Sequence, residues 1–298
     1  MQKNFLLFIF ILFFAGCQKE KVNEIYLDDN RSIKITDKLS IDNGIILHNH
    51  IFNYVTYDNF LKYLSESDRF LIVQQKDLEK TTSTDKVILS LRHDVDDNIK
   101  SAVKFAYLEN KYGIKSTYYI LHTAPYYGLT LFNYFKRNDN VLYYIRKIQE
   151  FGHDIGWHND LVTLQIMYGL DPKDFLKTEL GWLRENGISI AGTTSHGSHY
   201  CDIYHYLNSY FWKEVKGRHD GNYYNTDSIT KGYTTFQIEK DSLKNYNFEY
   251  EGLLIHSDYF FADSDWPHGK RWNMGMVNLD TIKPGKKVII LLHPQHWD

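Results

Sequence analysis

Two aspartates two residues apart, in Arg92-His93-Asp94-Val95-Asp96-Asp97, are the first residues of this chain whose spacing suggests chemistry. On extended backbone, positions i and i+2 project to the same side with Cα atoms roughly 7 Å apart, so both carboxylates address one region. Like charges that close need a cation, or a guanidinium such as Arg92, to stay ionised at neutral pH. The pair therefore suits a shared metal, or a metal and its base, although a helix-capping cluster has the same composition and Asp97 is expected to cap the helix that follows. His93, out of phase with both, is expected to be structural. Histidines then recur in Gly152-His153-Asp154-Ile155-Gly156-Trp157-His158-Asn159-Asp160, Thr193-Thr194-Ser195-His196-Gly197-Ser198-His199, Ile255-His256-Ser257-Asp258 and Leu291-Leu292-His293-Pro294. Any one of them suits a hydrogen-bonded core position. Four expected strands that end in histidine, beside one that ends in paired aspartates, point instead to a metal-dependent hydrolase.

The elements that must position these groups alternate strand and helix. Residues 87–91 form an apolar, β-branched run, followed by helical spacing of Ile99, Val103, Ala106 and Tyr107 up to Gly113. A strand is expected over 115–121, a helix carrying Val141, Leu142, Ile145 and Ile148, and a short strand into His158, where Gly152 and Gly156 suggest close backbone approach. Asp171-Pro172 starts another helix, with Gly187 as its stop. Strands follow at 188–194, 253–257 and 288–292, with a helix at 202–215 and a leading helix in 54–80. Such alternation predicts α/β architecture with a parallel sheet, open or closed into a barrel, in which functional groups gather beyond the carboxyl ends of the strands.

Composition narrows the partners. The chain has 298 residues, 24% of them charged, with 34 basic against 37 acidic residues and a net charge of -3, so no electropositive surface for nucleic acid is implied. Two cysteines cannot build a disulfide framework or a thiolate zinc site, so any metal must be held by nitrogen and oxygen. Cys201 reads as a buried thiol. Lys3 precedes an apolar run at 5–15, too short to span a bilayer, that ends in Phe14-Ala15-Gly16-Cys17. That pattern resembles a bacterial lipobox. It implies a signal peptide over 1–16, lipid on Cys17, a tether over 17–45 holding residues 46–298 off the membrane, and a place in the cell envelope; a cleaved signal with Cys17 nearby by chance is the alternative. Aromatic residues make up 16% of the chain. Trp157, Tyr200, Tyr259, Trp266 and Trp297 either stack on sugar rings or roof the fold.

Taken together, His93-Asp94-Val95-Asp96, Gly152-His153-Asp154-Ile155-Gly156-Trp157-His158 and Ile290-Leu291-Leu292-His293 resemble, in order and rough spacing, the motifs of the polysaccharide deacetylases (carbohydrate esterase family four), in particular the branch with R-H-D-V-D and G-H-E-I-G-x-H. The resemblance covers residue 57 to the carboxyl terminus. It implies a distorted, often seven-stranded (β/α) barrel, one divalent metal, usually zinc, and hydrolytic removal of acetyl groups from N- or O-acetylated carbohydrate. By position, it makes Asp94 the general base, Asp96 a metal carboxylate, His158 a metal histidine and His293 the general acid. A metal in such a site polarises the acetyl carbonyl and acidifies water, a backbone N–H near the His196 loop helps hold the oxyanion, and a carboxylate such as Asp258 keeps His293 charged.

Two departures stand out. The family's second metal histidine lies four residues after the first, where this chain has Val162. The third ligand is expected from His196, with Asp160 the second choice. The family's arginine-bearing third motif is missing, and Arg92 is expected to brace Asp94 in its place, with His256 and Trp297 as further substrate-contacting or orienting residues. A catalytically degenerate, carbohydrate-binding lipoprotein and a metal amidohydrolase acting on a non-sugar substrate are the alternative readings.

Overall fold

The computed structural model describes residues 22–27, 31–36, 54–215, 227–263 and 279–297. The chain divides into two units, Met1–Ile41 and Asp42–Asp298. The first contains an antiparallel ribbon of β1 (Val22–Leu27) and β2 (Arg31–Thr36), so the stretch expected to be only a tether carries local structure of its own. The apolar run at 5–15, Cys17 and Trp266 lie outside the described residues. No described helix is long and apolar enough to cross a membrane.

In the second unit, α1 (Tyr54–Glu66), β3 (Phe70–Ile72) and α2 (Gln75–Leu78) precede the central strand β4 (Val87–Val95). There follow α3 (Ile99–Lys111), β5 (Thr117–Leu121), a hairpin of β6 (Gly128–Leu131) and β7 (Tyr134–Arg137), α4 (Val141–Glu150), β8 (Asp154–Asn159), α5 (Leu161–Tyr168), α6 (Pro172–Glu185), β9 (Ile190–Ser195) and α7 (His199–Tyr204). A second hairpin, β10 (Ser228–Lys231) with β11 (Thr234–Gln237), leads to β12 (Tyr250–Glu251), β13 (Tyr259–Ala262) and β14 (Lys287–Leu292). The sheet is all parallel, in the order β12-β9-β8-β5-β4-β14-β13, with β3 pairing the first residues of β4 on the edge that β5 takes further along. It curls as a half-barrel and does not close: no pairing joins β12 to β13 among the described residues. The expected α/β parallel sheet is present, and a closed ring is not.

The alternation in β4 decides what faces where. All nine of its residues are buried. Arg92 and Asp94 share one face, while His93 points to the helix side, where its Nε2 lies 2.6 Å from Glu109 of α3. Glu109, itself fully buried, also accepts hydrogen bonds from Tyr57 (2.5 Å) and Tyr118 (2.6 Å). Burial alone would raise its carboxyl, but the facing His93 outweighs that and the value is lowered to about 2. This polar knot fixes β4 against α1 and α3.

Local chemistry accounts for the helix boundaries. Asp171 caps α6, accepting from the N–H groups of Lys173 and Asp174, with Pro172 at the first helical position. The cap of α3 is Asn98 rather than the expected Asp97. Gly156 lets the Tyr119 ring pack where a Cβ would collide with it. Other sequence expectations fail as well. The leading helix expected in 54–80 stops at Glu66 and gives way to β3 and α2. The helix expected over 202–215 is broken into α7 and two 3-10 turns, with His205 in the left-handed region at φ 55°. The strand expected at 253–257 begins instead at Tyr259, because the Glu251 side chain accepts the N–H of Leu253 and winds 252–254 into a 3-10 turn.

Candidate functional site

Because every strand of the sheet runs the same way, the residues at the carboxyl ends of β4, β8, β9, β13 and β14 share one rim. Asp96 follows β4, His158 lies near the end of β8, and His196, Asp263 and His293 come directly after β9, β13 and β14. Asp96, His158 and His196 converge so that one donor atom of each lies within 4.8 Å of the others. His158 Nε2 is 3.2 Å from Asp96 Oδ1, and His196 Nε2 is 4.0 Å from the same oxygen. A tetrahedral ion with ligand distances near 2.0–2.1 Å needs donor separations of about 3.3 Å; the Asp96–His158 pair meets this, and His196 stands farther out and would have to draw in.

Hydrogen bonding around His158 strengthens that reading. Its Nδ1 lies 3.0 Å from the Thr194 carbonyl oxygen, an acceptor only, so Nδ1 carries a proton. With Nδ1 so engaged, Nε2 is the ring atom that faces Asp96 Oδ1 and Asp94 Oδ2, the latter 3.4 Å away. Oδ1 of Asp96 is buried and has no hydrogen-bond partner. A buried carboxylate oxygen without a partner, facing an imidazole nitrogen, calls for positive charge between them. The surroundings agree: burial would lower His196, yet Asp96 and Asp160 raise it to about 9, so the pocket attracts positive charge.

Two further pairs flank this triad. Arg92 grips Asp94 in a two-point fork, Nε to Oδ1 at 2.8 Å and Nη2 to Oδ2 at 2.6 Å. Burial pushes the Asp94 carboxyl up, but Arg92 and then His158 more than offset this and it lies below the usual carboxylate range. On the opposite side, His293 Nε2 is 3.5 Å from Asp96 Oδ2, while its Nδ1 is 2.5 Å from Asp263 Oδ1. Burial would lower His293, and the Asp263 hydrogen bond overcomes that and raises it to about 9.

Asp263, His293 and His296 also gather closely enough to be considered as ligands. Asp263 is already organised as an acceptor, however. Its Oδ2 takes the backbone N–H of His293 (2.7 Å) and Nε1–H of Trp297 (3.0 Å), and its Oδ1 faces the His293 ring. That arrangement suits a charged imidazole better than a metal.

Several expected site residues are elsewhere. Asp258 is not the partner of His293: it sits at the amino end of β13, bound to Lys286 and to the N–H of Lys287, and Asp263 at the carboxyl end takes the role. His256 is exposed at that same far end, its N–H bonded to Glu79, and does not reach the rim site. Trp297 is fully buried against Tyr57 and Phe105, so it orients Asp263 and presents no ring to a substrate. Trp157 is likewise core, stacked on His122, and Tyr259 belongs to the far end. Asp160 is not in the triad: its oxygens accept from Asn208 (2.8 Å) and Thr123 (2.5 Å), and Oδ1 lies 3.5 Å from His196 Nδ1. Sequence reasoning missed Asp263 and Asn208. A carboxylate following an aromatic run, Tyr259-Phe260-Phe261-Ala262-Asp263, was the available signal for the first, and Asn208 has none. Cys201 is buried as expected, burial pushing its thiol up to about 12.

No family model, curated protein or solved structure matches this chain.

Proposed function

We propose that this protein is a metal-dependent hydrolase of the polysaccharide deacetylase type, removing acetyl groups from N- or O-acetylated carbohydrate, and that its half-barrel is a distorted member of that architecture. The observation that carries the reading is one rim cluster holding three kinds of group: a cation-ready Asp96-His158-His196 set, an ionised Asp94, and a cationic His293. Amide and ester hydrolysis needs a base and an acid in opposite protonation states at one pH. Asp94 and His293 meet that need, one stabilised as the anion by Arg92 and the other as the cation by Asp263.

Asp96, His158 and His196 would hold a divalent ion, zinc by their nitrogen and oxygen donors, which when bound supplies Lewis-acid polarisation of the scissile carbonyl. Asp94 takes a proton from the attacking water. Arg92 keeps its carboxylate aimed and ionised between turnovers. His293 delivers the Nε2 proton to the departing amine or alkoxide, and Asp263 steadies the ring on the Nδ1 side. In an envelope lipoprotein carrying lipid on Cys17, such a site would act on acetylated surface carbohydrate.

The test is acetate release from acetylated oligosaccharides by the purified protein, with metal content measured alongside. Asp94→Asn is expected to keep its metal and lose activity, whereas Asp96→Asn and His158→Ala lose the metal itself. Full activity in all three variants would overturn the assignment. Activity on small amides with none on acetylated sugars would replace the substrate class and keep the chemistry.

A further inference from the structure

We propose that Asp160 and Asn208 are positioning residues that turn His196 into a metal ligand, an inference that rests on the metal centre proposed above. The position that would supply a histidine one helical turn after His158 is Val162, an apolar residue buried in α5. His196 lies instead just past the end of β9, on connecting chain. A histidine there needs its backbone and its ring fixed from outside.

One network fixes the backbone and sets a carboxylate opposite the ring. The N–H of His196 donates to the Asn159 carbonyl at 2.8 Å. Its own carbonyl accepts from Asn208 Nδ2 at 2.9 Å. The same Nδ2 donates to Asp160 Oδ1 at 2.8 Å, and Asp160 Oδ1 faces the His196 ring at Nδ1, 3.5 Å away. Asn208 is fully buried, and its amide orientation is set because Oδ1 accepts the N–H of Thr163 at 3.0 Å. One amide group thus ties the end of β8, the first turn of α5 and the chain after β9 to a single carboxylate. A carboxylate opposite Nδ1 favours a proton on that nitrogen, so that a cation arriving beside Asp96 would take the place of the proton on Nε2. The two ligand rings have different partners: His158 Nδ1 is hydrogen-bonded to a neutral carbonyl, whereas His196 Nδ1 is buried without a hydrogen bond and faces an anion 3.5 Å away. Asp160 is available for this because its second oxygen is occupied by Thr123.

The test is calorimetric titration of the full chain with Co2+ alone, with the visible absorption of bound cobalt as a second readout. Asp160→Asn keeps the shape of the side chain and removes its charge. It is expected to weaken Co2+ about 10–100-fold and to change the cobalt spectrum, while the metal-free protein melts near the wild-type temperature. The zinc-loaded wild type, in which nothing is mutated, supplies an independent check: long-range 15N–1H correlation should place the proton of His196 on Nδ1 and zinc on Nε2. Wild-type affinity in Asp160→Asn, or zinc on Nδ1, overturns the inference and leaves the centre standing, provided Asp96→Asn still loses the ion. A wild-type protein that takes up no Co2+ overturns both.

Discussion

Replacing Asp263 by Asn should move the alkaline limb of the activity profile. The His293 imidazole is raised from 6.5 to about 9, with burial working against the shift and the 2.5 Å contact to Asp263 the first of the causes that raise it. A hydrogen bond between ionised partners in a buried setting is worth about 1.5–3 kcal/mol. At about 1.4 kcal/mol per decade, losing it lowers the pH at which His293 gives up its proton by about one to two pH units. Asn fits the same space and can still accept from Trp297 and from the His293 backbone through its carbonyl oxygen, so the fold around the site is kept. The assay is acetate release against pH for both proteins. The wild-type rate should hold until pH approaches 9 and then fall as His293 deprotonates, while the Asp263→Asn rate should begin to fall one to two pH units earlier. Stability follows the same direction: the folded value lies above that of free imidazole, so the pair contributes fully below pH 6.5 and that contribution is lost as pH rises through about 9. An alkaline limb that stays in place in Asp263→Asn, whatever happens to the maximum rate, would refute His293 as the acid.

The remaining predictions concern the base, the knot behind it and the thiol. Asp94→Asn should lower kcat by about 10²–10⁴ with KM little changed, read from initial rates at saturating acetylated oligosaccharide. Glu109→Gln removes the charge facing His93 and replaces one of the two oxygens that His93, Tyr57 and Tyr118 share with a donor, and should cost about 3–5 kcal/mol, measured by urea unfolding. In the wild type the Glu109 carboxyl is lowered from 4.5 to about 2, so its contribution is present above pH 4.5 and is lost as pH falls through about 2; urea midpoints of the two proteins should converge over that range. Cys201, with its thiol raised to about 12 by burial, should resist alkylation in the native protein and react in urea, as judged by mass of the peptide that contains it.

How far the site could be read from the chain depended on whether strand ends could be located. Asp94, Asp96, His158 and His293 follow runs of apolar residues buried on both faces, whose ends show as abrupt changes of polarity, and the structure brings all four together. His196 was legible for the same reason, since Ile190–Ser195 is a short strand with a glycine after the next histidine. The Asp258 and His256 expectations failed because Leu253-Leu254-Ile255 has a strand's composition, yet the Glu251 side chain captures a backbone N–H and turns the chain. With β13 starting at Tyr259, the carboxylate at the rim moved to Asp263. For Trp297 the sequence left a sugar platform and an orienting role equally open, because aromatic residues near a motif carry no sign of their burial. Asn208 works through a buried amide in a 3-10 turn, where no periodicity marks it. The α/β alternation was readable throughout, but closure was not, because pairing between β12 and β13 depends on curvature that no local pattern encodes.

The two-residue alternation of β4 makes the rim intolerant of one class of genetic change. Removing or adding a single codon within Val87–Leu91 would exchange the two faces of the strand, presenting an imidazole at the mouth and burying a guanidinium and a carboxylate against Glu109. No nearby substitution repairs such a slip. Indels should instead be tolerated in the hairpins that rest on α5, at Gly128–Arg137 and Ser228–Gln237, where Asn133 reaches Tyr168 and Gln237 meets Gln165. Divergent copies of this chain would thus vary in what borders the opening while conserving, to the residue, the length of the strand beneath it.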